Sequence, residues 1–226
     1  MFRQTDVNLL RRKMTSCTRD HVVNQVVTAQ DPMVIFDEWH ATAKQDPSIV
    51  EPNAVTVATS DAQGIPDARN VLLKEHTDDK FIFYTNYNSK KGTDLQKNPN
   101  VALVFLWNSQ NILRQVRVRG TVRKCSSQKS DEYFAARARE SQLGAWTSSQ
   151  SQKLRGGRDE LEQKYREVEE QFAGKDVPRP SHWGGFEVTT HAIEFWIGGV
   201  SGRMNDRFLF EKQADTREWT MTPLWP

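Results

Sequence analysis

Cationic, hydroxyl and amide side chains recur along the chain in short groups: Arg69 with Lys74, Ser89-Lys90-Lys91, Gln115, Arg137 with Ser141, and Gln150-Ser151. Taken singly, each reads as a solvated surface group. Taken as a set, they have the chemistry of phosphate binding. Lys90 and Lys91 sit in a loop opening a helical turn over residues 92–97. A helix N-terminus beside ammonium groups favours a phosphate. Each charge-assisted hydrogen bond of this kind contributes about 1.5–3 kcal/mol. Other chemistries lack their signatures. No G-x-G-x-x-G, P-loop or G-x-S-x-G string occurs, and the five histidines have no H-x-x-x-H spacing. With two distant cysteines, Cys17 and Cys125, a structural metal site is not expected. His40 reads as a surface or boundary residue.

The charge balance narrows the partners. Lys plus Arg is 31 and Asp plus Glu is 29, a net +2 in 226 residues. A chain that coats nucleic acid or anionic lipid shows a large basic excess. The longest apolar run, residues 101–107, is far short of the roughly 20 needed for a membrane span. Neither a nucleic acid nor a membrane is therefore expected as partner. Seven Trp and eleven Phe argue for a packed core. The cysteine count and the absence of an N-x-S/T acceptor favour a reducing, cytoplasmic compartment. Residues 1–30 read as a mobile polar arm. An Arg-rich organelle presequence is the alternative there, and Asp6 and Asp20 count mildly against it.

The elements that must position these groups are mainly β. Asp31-Pro32 starts a helix with Met33, Phe36, Trp39 and Ala43 on one face. Residues 54–60 and 68–74 flank turn residues and read as a hairpin, and 80–85 as a third strand. Residues 101–107 read as a strand buried on both faces. In 114–124, Val116, Val118, Gly120 and Val122 alternate with Gln115, Arg117, Arg119, Thr121 and Arg123, giving a core face and a cationic face. Two helices follow, around Tyr133-Phe134 and over 158–172, with residues 144–157 as a loop between them. Residues 186–189, 192–196, 207–211 and 219–222 are β-rich. Seven or eight strands in adjacent runs with peripheral helices suggest an antiparallel barrel in a single domain over 31–226.

Longer strings carry a resemblance. Ala68-Arg69-Asn70-Val71-Leu72-Leu73-Lys74, Phe83-Tyr84-Thr85-Asn86, Ser89-Lys90-Lys91-Gly92 and Arg114-Gln115-Val116-Arg117-Val118-Arg119-Gly120 resemble the FMN-binding core of the pyridoxine/pyridoxamine 5′-phosphate oxidases. Tyr133-Phe134 with Arg137, then Ser141-Gln142-Leu143-Gly144-Ala145, is similar to the family's substrate-phosphate segment. Ser149-Gln150-Ser151, Trp183-Gly184-Gly185, Glu194-Phe195-Trp196 and Arg203-Met204-Asn205-Asp206-Arg207 follow in the family's order.

The resemblance implies an FMN-binding split β-barrel, a C-terminal dimerisation region, and a homodimer with FMN at the subunit interface. Arg69, Asn70, Val71, Leu72, Tyr84, Thr85, Lys90, Lys91, Gln115, Gln150, Ser151, Trp196 and Arg207 would hold FMN. Lys74, Tyr133, Arg137 and Ser141 would hold the phosphate of a B6 vitamer. Arg203 and Asn205 would lie over the substrate ring as catalytic groups. The implied activity, part of vitamin B6 metabolism, oxidises pyridoxamine or pyridoxine 5′-phosphate to pyridoxal 5′-phosphate, with dioxygen as acceptor and hydrogen peroxide as product.

The sequence departs from the family pattern in five places. Lys90-Lys91 replaces Arg-Lys, which keeps charge but loses the bidentate fork. Asn205 stands where the family has histidine, so that position cannot titrate near neutrality. The loop 198–202 is longer and Gly-rich, and the chain ends Pro223-Leu224-Trp225-Pro226 instead of Arg-Leu-x-Pro. In the N-terminal lid motif Arg12-Lys13 remain, but Thr15 replaces a tyrosine. The alternative readings are a related FMN oxidoreductase of phenazine-biosynthesis type, a non-catalytic FMN or vitamer binder, and, least favoured, a nucleic-acid module on the Arg117/Arg119/Arg123 face.

Overall fold

The computed structural model describes residues 16–109, 113–199 and 204–226. Arg203, Arg12-Lys13 and Thr15 lie outside them, as does most of the Gly-rich loop. Six helices and nine strands are described: α1 Ser16–Thr28, α2 Pro32–Gln45, β1 Ala54–Ser60, β2 Pro66–Leu72, β3 Glu75–Thr77, β4 Lys80–Asn86, α3 Lys90–Lys97, β5 Asn100–Asn108, β6 Leu113–Lys124, α4 Ser127–Ala135, α5 Arg139–Thr147, α6 Gly157–Gln171, β7 Trp183–Ile197, β8 Asp206–Lys212 and β9 Trp219–Pro223.

Local chemistry explains the boundaries. The Asp31 carboxylate accepts from the Met33 N–H at 2.9 Å, and Pro32 occupies the first turn of α2. Ser89 and Ser126 cap α3 and α4 in the same way. The Asp61 carboxylate accepts from the N–H groups of Gln63 and Ile65, and Gly64 takes φ 81°, closing the β1–β2 hairpin.

The strands form one antiparallel sheet in the order β2-β1-β5-β6-β7-β4-β3, with β8 on β7 and β9 on β8. Strand β7 organises it. One edge of β7 pairs with β6; the other pairs with β4 through residues 183–189 and with β8 through residues 192–197. The sheet therefore branches instead of closing, as a split barrel does. The β6–β7 register shifts between Arg119 and Gly120, leaving His191 as the extra residue. That bulge is why the sequence shows two β-rich pieces where one strand exists. At Gly120 a Cβ would lie 2.2 Å from the Thr189 carbonyl oxygen, so the bulge needs glycine.

Four expectations are corrected. Residues 16–28 are a helix with Val22 and Val26 buried in the main core, so the arm does not extend to residue 30. Strand β5 buries Val101, Leu103, Phe105 and Trp107, but Leu106 on the other face is 60% exposed. Its apolar run reflects an uncovered outer face rather than burial on both sides. The loop read over 144–157 starts later: helix α5 runs on to Thr147, because Leu143, Ala145 and Thr147 pack inward. His40 is buried. Its Nδ1 lies 3.4 Å from His76 Nε2 and its Nε2 lies 3.0 Å from Asn53 Oδ1, while His76 faces Asp37 at 3.2 Å. The Asn53 carbonyl accepts from the Leu73 N–H, so this network stands directly behind Lys74.

Burial pushes the His40 pKa down to about 4, assisted by the positive charge of Lys44. A base whose folded pKa lies below its unfolded value protonates first in the unfolded chain, so stability falls as pH falls from about 6.5 towards 4. Burial lowers His76 as well, in the same direction. The melting temperature should drop across that window, and the drop should be smaller in His40→Asn. An equal slope in both proteins would show that His40 is not its source.

Candidate cofactor and phosphate cleft

A cleft of about 940 Å³ opens between β2, β4, α3, the α4–α5 corner and the segment after α5. Arg69, Asn70, Val71, Leu72, Lys74, Tyr84 and Thr85 line it from the β-strands and the β2–β3 link. Lys90 and Lys91 enter from α3, Tyr133 from α4, and Arg137, Ser141, Gln150 and Ser151 from the segments around α5. Residues dispersed over 80 positions of sequence thus share one cavity.

At the α3 end the decisive group is Lys91. Its ammonium is buried and donates to Gln150 Oε1 at 2.8 Å, Thr85 Oγ1 at 3.0 Å and Ser89 Oγ at 3.2 Å. Among the described residues no carboxylate pairs with it. Burial, reinforced by the Arg69 guanidinium, pushes its pKa down to about 8. A desolvated cation held only by neutral acceptors is a site for an anion. Lys90 differs: Asp94 Oδ1 and Oδ2 accept from its ammonium at 2.7 and 2.8 Å, and Asp94 also accepts from Thr59 Oγ1. Arg69 is anchored by Val57 O, Thr59 Oγ1 and Asp67.

The other end is built on α5. Its N-cap residue is Ala138, which offers no side-chain acceptor to the first-turn N–H groups. Arg137 immediately precedes it, with one buried Nη1 unpaired, and burial lowers its pKa. Ser141, Tyr133 and Lys74 complete this cluster. An uncapped helix N-terminus with a cation and hydroxyls suits a phosphate dianion. Between the two ends lies an aromatic shelf. The Tyr84 and Tyr133 rings stack at 3.9 Å, and the Trp183 ring lies nearly parallel to both, at 5.5 and 6.2 Å between centroids. The Tyr84 hydroxyl donates to Glu75, and burial raises its pKa, with the Glu75 charge adding to the effect.

Gln115, Trp196 and Arg207 are not brought to this cleft. They form a row across β6, β7 and β8 on the outer face, since Gln115 pairs with Trp196 and Trp196 with Arg207. The buried Glu194 carboxylate accepts from Arg207 Nε and Arg117 Nη1, each at 2.9 Å. Asn205 also lies away from the cleft, and its Oδ1 accepts from the Gly199 N–H at 3.0 Å. The chain thus carries two separate partial constellations. Among the described residues no three His, Cys, Asp or Glu side chains group to hold a metal.

Known proteins share this pattern. The family model described as pyridoxamine 5′-phosphate oxidase matches residues 41–172, and that of the pyridoxine 5′-phosphate oxidase C-terminal dimerisation region matches 183–226. The pyridoxine/pyridoxamine 5′-phosphate oxidase of Microcystis aeruginosa is 47% identical over 83% of this chain and 86% of its own length. That of Sphingopyxis alaskensis is 42% identical over 95% and 97%. The chain belongs to the pyridoxamine 5′-phosphate oxidase family.

A crystal structure of PhzG from Burkholderia lata, in complex with tetrahydrophenazine-1-carboxylic acid, matches 88% of this chain and 94% of its own, with TM-score 0.79 and 25% identity. A pyridoxamine 5′-phosphate oxidase-related FMN-binding protein from Nostoc punctiforme matches with TM-score 0.63 at 18% identity, a likeness of fold. The family fold is the split barrel. The dimerisation region contains Trp196, Asn205 and Arg207, so two of the three residues of the outer-face row lie in the segment that the family uses to form homodimers, Gln115 being on β6.

Three kinds of functional residue escape sequence reading. Trp183 lines the cleft, and its only sequence signal is its place before Gly184-Gly185. Asp94 holds Lys90 at the i,i+4 spacing of a helix, a signal available in the sequence, whereas Glu194 holds Arg207 across two strands, which no linear spacing marks.

Lys91 destabilises the ligand-free fold, because its charge is buried without a counter-ion. Below about pH 8 this penalty is fully present, and it fades as pH rises from there to about 10.5. Lys91→Met should therefore raise the melting temperature of the ligand-free protein at pH 7 while weakening FMN binding at least about tenfold. A variant less stable than wild type, with FMN affinity retained, would contradict this assignment.

Proposed function

We propose that this chain is an FMN-dependent oxidase of pyridoxamine 5′-phosphate and pyridoxine 5′-phosphate, releasing pyridoxal 5′-phosphate and hydrogen peroxide; with the amine, water is consumed and ammonia is released as well. The observation that carries this reading is a pair of cations without a carboxylate partner among the described residues, the buried Lys91 and the half-buried Arg137, at opposite ends of one cleft with an aromatic shelf between them. Two phosphorylated ligands, a flavin mononucleotide and a vitamer ester, require two such ends. The residues present fit FMN: Lys91, Arg69, Thr85, Gln150 and Ser151 surround a site for its phosphate, while Asn70, Val71, Leu72 and Tyr84 line the adjoining strand wall.

When bound, FMN supplies the redox chemistry, taking a hydride equivalent from C4′ of the vitamer and passing electrons to dioxygen. The chain's own residues bind and orient. Arg137, Lys74, Tyr133 and Ser141 neutralise and hold the substrate phosphate, which fixes the ring relative to the flavin wall. Arg203 is assigned to the ring and to negative charge developing near it. Asn205 holds no titratable proton, so it places groups and does not act as an acid or base. The Gln115–Trp196–Arg207 row is assigned to the cleft of the second copy in the homodimer. Glu194 fixes Arg207 for that role. Compartment is assigned as cytoplasmic, on the bacterial relatives and on cysteine usage.

A second reading has its own support. The fold likeness to PhzG and the engagement of Asn205 by Gly199 favour an FMN oxidoreductase acting on a different ring system. The assembled Lys74–Tyr133–Arg137–Ser141 cluster favours a phosphate ester instead.

FMN-loaded protein incubated in air with each vitamer should form pyridoxal 5′-phosphate and hydrogen peroxide in equal amounts. Flavin absorbance unchanged by both vitamers under anaerobic conditions would overturn the reading. Arg137→Ala should raise KM about tenfold or more with FMN retained. FMN loss with KM unaltered would mean that the two clusters are assigned the wrong way round.

A further inference from the structure

Arg137 is held without a carboxylate. Several other cations are fixed by one: Asp94 holds Lys90, Glu194 holds Arg117 and Arg207, and Asp131 holds Arg179. No Asp or Glu among the described residues pairs with Arg137. Its guanidinium carbon instead lies 4.5 Å from the centroid of the Trp183 ring and 5.5 Å from that of Phe134. Phe134 meets Trp183 edge-on at 5.1 Å, so the two rings form a single aromatic corner. Both side chains are buried.

The corner is itself firmly placed. Trp183 begins β7 and pairs with Asn86 of β4. Its N–H donates to Pro180 O, and its carbonyl accepts from Arg179 Nη1 at 2.7 Å. Arg179 is fixed in turn by Asp131 and Ser127 of α4. The indole therefore connects the sheet to the helix that carries Tyr133.

We propose that Trp183 is a positioning residue for the substrate phosphate, holding the Arg137 guanidinium in the cleft by its ring face and leaving the N–H donors to a phosphate monoester dianion. The physical reason is competition. A carboxylate would orient Arg137 equally well, but it would occupy the same donors and cancel the charge that the dianion needs. An aromatic face attracts the cation while accepting none of its in-plane N–H groups. The unpaired Nη1 is what such an arrangement leaves behind. This inference rests on the assignment of Arg137 to the substrate phosphate, and it adds a residue to which no binding role is otherwise given.

The test uses the FMN-loaded dimer, with inorganic phosphate as a competitor of pyridoxamine 5′-phosphate. Trp183→Leu should weaken phosphate inhibition and raise KM in parallel, each about tenfold, with a much smaller change in kcat and no loss of FMN. Trp183→Phe keeps an aromatic face and should remain within about threefold of wild type. In an Arg137→Ala background, Trp183→Leu should add little further loss, because the two side chains act as one unit. Unchanged phosphate inhibition in Trp183→Leu, or an equal additional loss in the Arg137→Ala background, would overturn the proposal. If wild type oxidises neither vitamer, calorimetric binding of inorganic phosphate replaces inhibition. Trp183-dependent binding would then support this inference while refuting the assigned reaction.

Discussion

The site depends on burying positive charge without a matching negative one. Lys91 and Arg137 are both desolvated, and neither has an acid beside it. Desolvation of an unpaired cation opposes folding, so the surrounding structure must impose it. It does so by neutral means: Gln150, Thr85 and Ser89 around Lys91, and the ring faces of Trp183 and Phe134 around Arg137. Other cations of the chain are fixed by a carboxylate, as Lys90 is by Asp94 and Arg207 by Glu194. Lys91 and Arg137 are left without such a partner among the described residues.

The architecture follows from that requirement. Lys91 lies in the first turn of α3, which Ser89 caps and which packs so tightly that a Cβ on Gly92 would meet the Tyr87 carbonyl oxygen at 2.3 Å. Arg137 lies in the corner between α4 and α5, beside an uncapped helix start. The long strand β7 joins these parts, because its first residue, Trp183, forms the aromatic corner and its far half carries Glu194 and Trp196. The cleft and the outer-face row are thus two ends of one strand's work. The family's dimerisation region, matched by residues 183–226, carries Trp196 and Arg207 of that row.

Much of this was legible in the sequence where chemistry is local. The cap at Asp31-Pro32, the hairpin turn at Asp61–Ile65 and the alternation in 114–124 depend on neighbouring residues, and their elements form as the pattern requires. The motif residues from Arg69 to Ser151, Gln115 excepted, converge on one cavity. What was hidden depends on distant partners. The His191 bulge splits the apparent pattern of β7, since register is decided by pairing with β6. Helix α5 forms in a polar stretch because Leu143 and Ala145 meet the α6 cluster. The run 101–107 gives no sign that Leu106 faces outward, because its residues are apolar on both faces of the strand. His40 gives none of its burial between Asn53 and His76.

The central claim, that Lys91 is a buried ammonium awaiting a phosphate, is tested most directly by the protons exchanged when FMN binds. Calorimetric titration of the ligand-free dimer at pH 8.5, in two buffers of different ionisation enthalpy, measures that exchange. With a Lys91 pKa of about 8 before binding, wild type should take up a substantial fraction of one proton per FMN as the phosphate restores the charge, and Lys91→Met should take up none. No proton uptake by wild type, or the same uptake by the variant, would contradict the account.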